Sequence, residues 1–263
     1  MKIALTIAGS DSGGGAGIQA DLKTFHQFGV FGTSAVVAIT AQNTRGVRGV
    51  HPVPLDLVRS QLAAVADDLP PHAVKTGMLA TAALVQGVAS AIAAHAFPNI
   101  VVDPVMVASS GDRLLDENAV ETVSDLLLPV AHLVTPNQHE AELLTGMEIT
   151  TIDDMIGAGK QLLSRGARAA LIKGGHLPGP TVVDVLVTAN ATRRFEHARI
   201  DTSSTHGTGC TLSAAIAAGL ALDRSLDDAV EHALAYVHRA IATAPGLGSG
   251  HGPLNHFAPV SDS

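Results

Sequence analysis

The residues best able to do chemistry lie at positions 205–220, T-H-G-T-G-C-T-L-S-A-A-I-A-A-G-L, where a glycine-bearing turn delivers the chain's single cysteine to the mouth of an alanine-rich helix. Gly207 and Gly209 admit backbone angles that bulkier residues resist, so the N–H groups of Thr208, Gly209 and Cys210 can converge on one anion. A helix starting at about Thr208 adds the positive end of its dipole at the same point, which favours phosphate or developing negative charge. A thiol held there is expected to ionise below its ordinary value of ~8.5. His206 precedes Cys210 by four residues and is a candidate to tune it, although the intervening glycines break helical spacing. The competing reading, a tight turn beside a small buried thiol, would hold for an isolated G-x-G-C. The rest of the chain argues for a site.

Phosphoryl transfer needs a divalent cation between carboxylates and phosphates, a cationic group on the phosphates, and donors for the transferring group. Asp103 closes the run I-V-V-D before Pro104. Carboxylates are seldom buried there without a partner, so a metal or phosphate-bound cation is expected. Asn137 and Glu140 open N-Q-H-E-A-E-L-L, three apart and hence on one face of a first turn, where both can reach a hydrated cation; the same spacing makes a capping box, and both readings stand. Lys173, in K-G-G-H, is placed for nucleotide phosphates.

The acceptor side rests on fewer signals. The loop S-D-S-G-G-G-A-G at residues 10–17 lacks both the Lys-Ser/Thr pair of a Walker loop and the register of G-x-G-x-x-G, which argues against a nucleotide there. It can let a small substrate approach the backbone, with Asp21 either hydrogen-bonding that substrate or complementing the dipole of its own helix. Gln42 is a candidate reader of a polar ring edge. Met78 is core filler or a wall against a flat ring. Residues 105–115 are polar and glycine-bearing, as either a mobile flap or a static loop would be.

The elements that must position these groups follow from pattern. Apolar or β-branched runs predict strands at residues 2–9, 33–40, 73–76, 100–103, 131–135, 169–172, 184–188 and 193–200, alternating with helices at 18–28, 55–69, 151–165, from 208, and at 226–244. Such alternation supports an α/β fold with a mostly parallel sheet covered on both faces. Gly9, Gln42, Asp103, Asn137, Lys173 and, through its preceding segment, Cys210 then all fall just past strands, so one cleft can collect them. With 263 residues and 46% hydrophobic content the chain can bury the core of a single large domain. Sixteen Lys and Arg against 24 Asp and Glu, without a basic cluster, exclude a nucleic-acid backbone as partner. The apolar run at 80–96 is broken by Gln86, Gly87, Ser90 and His95, which suits a buried helix rather than a membrane span. One cysteine and an opening strand pattern predict a cytoplasmic protein without an internal disulfide.

Seven stretches together resemble one family: A-G-S-D-S-G-G-G-A-G-I-Q-A-D at 8–21, T-A-Q-N at 40–43, K-T-G-M at 75–78, V-V-D-P-V-M-V at 101–107, T-P-N-x-x-E-A at 135–141, K-G-G-H at 173–176 and H-G-T-G-C-T-L-S-A-A-I-A at 206–217. The chain is similar to the ribokinase-like superfamily and, within it, to the hydroxymethylpyrimidine/phosphomethylpyrimidine kinases of thiamine biosynthesis. Most sugar kinases of that superfamily look like G-T-G-D at the anion hole, so cysteine in the aspartate slot points to the pyrimidine branch and its pyridoxal-kinase relatives. The resemblance implies a three-layer sandwich. It also implies ATP with Mg2+, and phosphorylation of 4-amino-5-hydroxymethyl-2-methylpyrimidine and then of its monophosphate, usually by a homodimer. It places Gly9, Asp21, Gln42, Met78 and Val105 around the pyrimidine. Many relatives look like A-K-S-G in the flap, where this chain has Ala108-Ser109-Ser110-Gly111. A pyridoxal kinase on the same scaffold, a cysteine hydrolase built on Cys210 and His206, and a regulator that binds without turnover are the competing functions.

Overall fold

Continuous apolar runs become strands buried on both faces, as the absence of simple alternation requires. The protein is described by a computed structural model over residues 1–106 and 117–260. The first strand, β1 (Ile3–Ser10), leads through α1 (Gly17–Gln27) into β2 (Phe31–Asn43), which turns into an exposed edge strand, β3 (Gly46–Pro52). Then come α2 (Leu55–Asp68), β4 (Ala73–Thr76), α3 (Ala82–Ala94) and β5 (Ile100–Val102). After the helical stretch begun by α4 (Glu117–Thr122) follow β6 (Leu133–Val134), α5 (Gln138–Thr145), α6 (Ile152–Ser164) and β7 (Ala169–Ile172). The chain then makes the antiparallel ribbon β8 (Thr181–Thr188) and β9 (Thr192–Ala198), and ends with α7 (Thr208–Ala221) and α8 (Leu226–Ala242).

The sheet order is β3-β2-β1-β4-β5-β6-β7-β8-β9, parallel from β2 to β7 and antiparallel at both margins. Alternate residues feed opposite layers. Ile100 and Val102 join the core under α2, α3 and α6, while Val101 joins the core under α1, α7 and α8. From β1 the chain winds outward first to β2 and later to β4, so the sheet reverses direction beside β1. The carboxyl ends of strands at such a reversal form a crevice. Two register shifts lie on its rim, between Ala8 and Gly9 of β1 and between Ala41 and Gln42 of β2. Bulges of this kind re-aim side chains at sites.

Helix α7 can lie close to the sheet and to α8 because it is built from small residues. A Cβ on Gly219 would come within 2.9 Å of the Ala229 Cβ. Among the described residues no helix is long and apolar enough to cross a membrane, and the apolar run at 80–96 is the packed helix α3.

Some sequence expectations shift. Strand β2 runs through Asn43, so Gln42 lies inside a strand paired with β3 and not beyond its end. The pairing partner, G-V-R-G-V-H-P, has two glycines and a proline in seven residues, which hides a strand from pattern reading. The proposed flap at 105–115 lies mostly outside the described residues, including Ser109; Val105 and Met106 are described.

Candidate active site

The turn before α7 is fixed by close approach. Gly207 caps the helix at φ 83°, and a Cβ there would run into the Gly15 carbonyl of the loop after β1. The glycine loop and the helix N-terminus therefore touch backbone to backbone, which only glycine permits. In the first turn the Thr208 N–H already donates to the Thr205 carbonyl at 3.2 Å. The amides of Gly209 and Cys210 find no acceptor among the described residues and are the donors left for an anion. The turn thus leaves two free amides for an anion, not the three expected.

Beside it stands a buried charge cluster. Asp103, just past β5 and 1% exposed, accepts from Lys173 Nζ at 3.3 Å, Thr135 Oγ1 at 3.3 Å and Ser213 Oγ at 3.2 Å. Lys173 follows β7, and its Nζ also lies 3.8 Å from Glu140 Oε2. Burial disfavours the Lys173 charge, but Asp103 and Glu140 outweigh it and hold the ammonium above its ordinary value. Burial likewise pushes the Glu140 carboxyl up to about 7, with Lys173 opposing and Asp103 adding to the rise. The capping box is formed: Asn137 Oδ1 accepts from the Glu140 amide at 2.9 Å and Glu140 Oε2 from the Asn137 amide at 2.8 Å. Glu140 therefore serves the helix and the cluster together.

Whether these residues suit a divalent cation can be judged from the donor set. Among the described residues no three His, Cys, Asp or Glu side chains are grouped to cage a metal. Two buried carboxylates sharing one lysine fit instead a cation that keeps several waters and takes further ligands from phosphate oxygens, as Mg2+ does.

A cavity of about 620 Å³ joins these groups. At one end lie Gly9, Gln42, Met78 and Val105. The Gly9 amide donates to the Met78 carbonyl at 3.1 Å, and a Cβ on Gly9 would meet Met78 Cε at 2.6 Å, so the methionine lies flat over the glycine. Gln42 Oε1 accepts from Thr40 Oγ1 at 3.3 Å. At the other end an apolar slot is lined by Ile200, Leu212, Leu234, Val237 and Ile241. Gln42, Gly9, Met78, Val105, Asp103, Asn137, Glu140, Lys173 and residues 206–210 all border this one space.

Three expectations are corrected. Asp21 does not line the cavity. It is fully buried, bound by Lys75 Nζ at 3.0 and 2.8 Å and by Thr6 Oγ1 at 2.6 Å, so it has no edge to offer a ring. Burial, opposed by Lys75, pushes the Cys210 thiol up to about 11; the helix dipole expected to lower it does not prevail over desolvation. His206 does not tune that thiol, because its Nε2 lies 2.8 Å from Asp11 Oδ2. With Gln42 Nε2 at 3.5 Å, His206 belongs to the acceptor end.

Sequence reading passed over Asp11, which organises the glycine loop. Its carboxylate accepts from the amides of Gly13, Gly15 and Ala16 at 2.7, 3.0 and 2.8 Å. The signal was present, since an aspartate before a glycine run is poised to bond the following amides. Ser213 and the apolar slot had no local signal, because their partners lie far along the chain.

The comparisons with known proteins agree with this architecture. Residues 11–255 match the family described as phosphomethylpyrimidine kinase. A Bacillus subtilis protein named hydroxymethylpyrimidine/phosphomethylpyrimidine kinase is 50% identical over 256 residues, covering 97% of this chain and 94% of that one. Among solved structures, an ADP complex of Bacillus subtilis pyridoxal kinase superposes with a TM-score of 0.91 at 40% identity, covering 98% of each chain. Staphylococcus aureus pyridoxal kinase in complex with AMP-PCP and pyridoxal does so at 0.91 and 35%, covering 98% of this chain and 94% of that one. With a ribokinase-like sheet, 50% identity to a named relative over nearly the whole chain and a family match spanning residues 11–255, the chain belongs to the phosphomethylpyrimidine kinase family.

Proposed function

We propose that this protein is a kinase that transfers the γ-phosphoryl group of ATP to the hydroxymethyl group of 4-amino-5-hydroxymethyl-2-methylpyrimidine, and then phosphorylates the monophosphate to the diphosphate, in thiamine biosynthesis. The observation that carries the reading is one cavity with a polar, glycine-floored pocket at one end, an apolar slot at the other, and the Gly209–Cys210 amides with Lys173 at the junction. A flat polar ring suits the first end, against Met78 with Gln42 at its edge. A nucleotide base suits the slot between Ile200, Leu212 and Val237, which leaves its phosphates at Lys173. The two amides and Lys173 take the charge of the transferring group, and donors preorganised in this way commonly supply the largest part of catalysis. Cys210, in its thiolate form, accepts the proton of the attacking hydroxyl to become the thiol, and transfer is direct and in line. Asp103 and Glu140, with Asn137 beside them, would hold Mg2+ bound with the nucleotide, where it supplies neutralisation of phosphate charge against the carboxylates. A homodimer in the cytoplasm completes the proposal, on the strength of the family resemblance.

The similarity to pyridoxal kinases favours one second reading, pyridoxal as an acceptor in the same pocket. A cysteine hydrolase is disfavoured by the high thiol and by His206 being turned to Asp11. Coupled ADP release with the pyrimidine, its monophosphate and pyridoxal as rival acceptors tests the assignment. Turnover of pyridoxal alone would overturn it.

A further inference from the structure

The antiparallel ribbon β8–β9 carries a buried carboxylate that the chemistry above leaves unused. Asp184 is 4% exposed in the middle of an otherwise largely apolar strand, T-V-V-D-V-L-V-T. It pairs across the ribbon with Phe195, which puts His197, two residues further along β9, on the same face. The His197 Nε2 lies 2.9 Å from Asp184 Oδ2, and the Gly174 N–H donates to Asp184 Oδ1 at 2.8 Å. Strand and loop meet backbone to backbone there, since a Cβ on Gly174 would run into the Val183 carbonyl.

The bonded amide is the one that follows Lys173. On the other side of that residue, the Lys173 N–H donates to the Pro136 carbonyl at 2.9 Å. The two rigid peptide groups that flank the Lys173 Cα are therefore pinned by different elements, one by the segment leading into α5 and Glu140, the other by β8. With both held, the direction in which the lysine side chain leaves the backbone is set. Its Nζ then meets Asp103 at 3.3 Å and Glu140 at 3.8 Å. The loop beyond Gly174 is held separately, because the Arg199 guanidinium donates to the carbonyls of Gly175, Leu177 and Gly179. A buried carboxylate is costly unless its oxygens are bonded. Asp184 bonds one to a histidine that orients it and the other to the single amide that sets the aim of the lysine.

We propose that Asp184 is a positioning residue for Lys173: its carboxylate, oriented by His197, holds the Gly174 amide and thereby aims the ammonium at the nucleotide phosphates. The inference rests on reading Lys173 as the phosphate contact, and its test reads nucleotide binding and not turnover. Calorimetry of the full-length protein with AMP-PCP and Mg2+, without acceptor, supplies a double-mutant cycle. Asp184→Ala should weaken AMP-PCP binding by about tenfold, the worth of one hydrogen bond to a charged group, and leave pyrimidine binding at the other end of the cavity unchanged. In a Lys173→Met background the same substitution should have little further effect, because the group it positions is gone. Asp184→Asn, which keeps an oxygen for the Gly174 amide, should bind AMP-PCP nearly as well as the unsubstituted protein. Melting curves establish that each variant folds. If Asp184→Ala does not, His197→Phe, which removes only the orienting partner, runs the same cycle with a smaller loss expected. Both Asp184 and His197 border the cavity, so losses that add in the double variant would mean direct contact with the nucleotide and would overturn the proposal. Unchanged binding in Asp184→Ala, or an asparagine variant as weak as the alanine one, would overturn it too. An unsubstituted protein that does not bind AMP-PCP would strike the kinase reading and this inference with it, whereas normal binding with additive losses strikes this inference alone.

Discussion

Gly209→Ala separates the site from the scaffold more cleanly than any substitution of a charged residue. Gly209 is the second residue of α7, and a Cβ there would lie 3.2 Å from Lys173 Nζ and 3.6 Å from Asp103 Oδ2. The nearer atom is the end of a flexible lysine, which can withdraw by a few tenths of an ångström. Unlike Gly207, this glycine is outside the left-handed region, so alanine brings no backbone strain. In a helix it gains up to about 1 kcal/mol of propensity, and 1 kcal/mol moves the melting temperature of a domain this large by roughly 2–4 °C. Stability should hold or rise. The new methyl nevertheless fills the space between the amide donors and Lys173 that a transferring phosphoryl group must occupy. Loss of one such donor costs about 10²- to 10³-fold in turnover, or roughly 2.7–4 kcal/mol, and blocking the hole should cost at least the lower figure. Gly207→Ala is the opposite case: φ is 83° and the methyl meets the Gly15 carbonyl, so this variant should lose about 1 kcal/mol or more of stability. Coupled ADP release and thermal melts on the two proteins check both halves. Turnover within a few-fold of the unsubstituted protein in Gly209→Ala would refute the placement of the phosphoryl group.

Asp103→Ala should reduce turnover far more than acceptor affinity, because its partners are Lys173 and the expected cation; steady-state kinetics with the pyrimidine varied at fixed Mg2+ and ATP would show the split. Gln42→Leu should raise the KM for the pyrimidine and leave that for ATP nearly unchanged, since a site built on hydrogen bonds discriminates strongly against their loss; calorimetry with each ligand measures it. If Cys210 is the base, turnover should climb with pH above neutrality toward the thiol value of about 11. Cys210→Ala should lose that slope together with about 10²- to 10⁴-fold in rate, and Cys210→Asp should keep more activity than alanine. His256, bonded to Thr211 Oγ1 at 3.1 Å, is pushed down to about 4 by burial. Its folded value lies below its unfolded value near 6.5, so the stability it lends is complete above pH ~6.5 and is lost as pH falls toward 4. Thermal melts between those pH values should show a shallower acid decline in His256→Gln.

How far the sequence revealed the site depended on whether a residue's partner was local. The parallel sheet, the helix at Cys210 and the cap at Asn137 rest on spacing within a few residues, and pattern alone located them. Asp103 and Lys173 were legible as residues just past strands, since an α/β sheet gathers such positions into one crevice, whereas Gln42 reaches the same cavity from within β2. Strand β3 was not legible, because an exposed edge rich in glycine carries neither alternation nor an apolar run.

Two of the misjudged groups, Asp21 and Cys210, fail for a common reason. A helix-start carboxylate and a helix-start thiol look polar and available along the chain, and the local helix dipole favours negative charge on both. Their actual state is set by desolvation and by Lys75, which lies 54 residues beyond Asp21 and arrives only when β4 pairs with β1. Local dipoles are worth roughly 0.3–1 kcal/mol at exposed sites, whereas one pKa unit is already about 1.4 kcal/mol and burial can shift a group by several. Burial therefore prevails wherever both act. A motif identifies which atoms can meet a substrate, but their protonation is decided by a burial the motif does not encode, which Lys75 of K-T-G-M opposes at Cys210 without overcoming it.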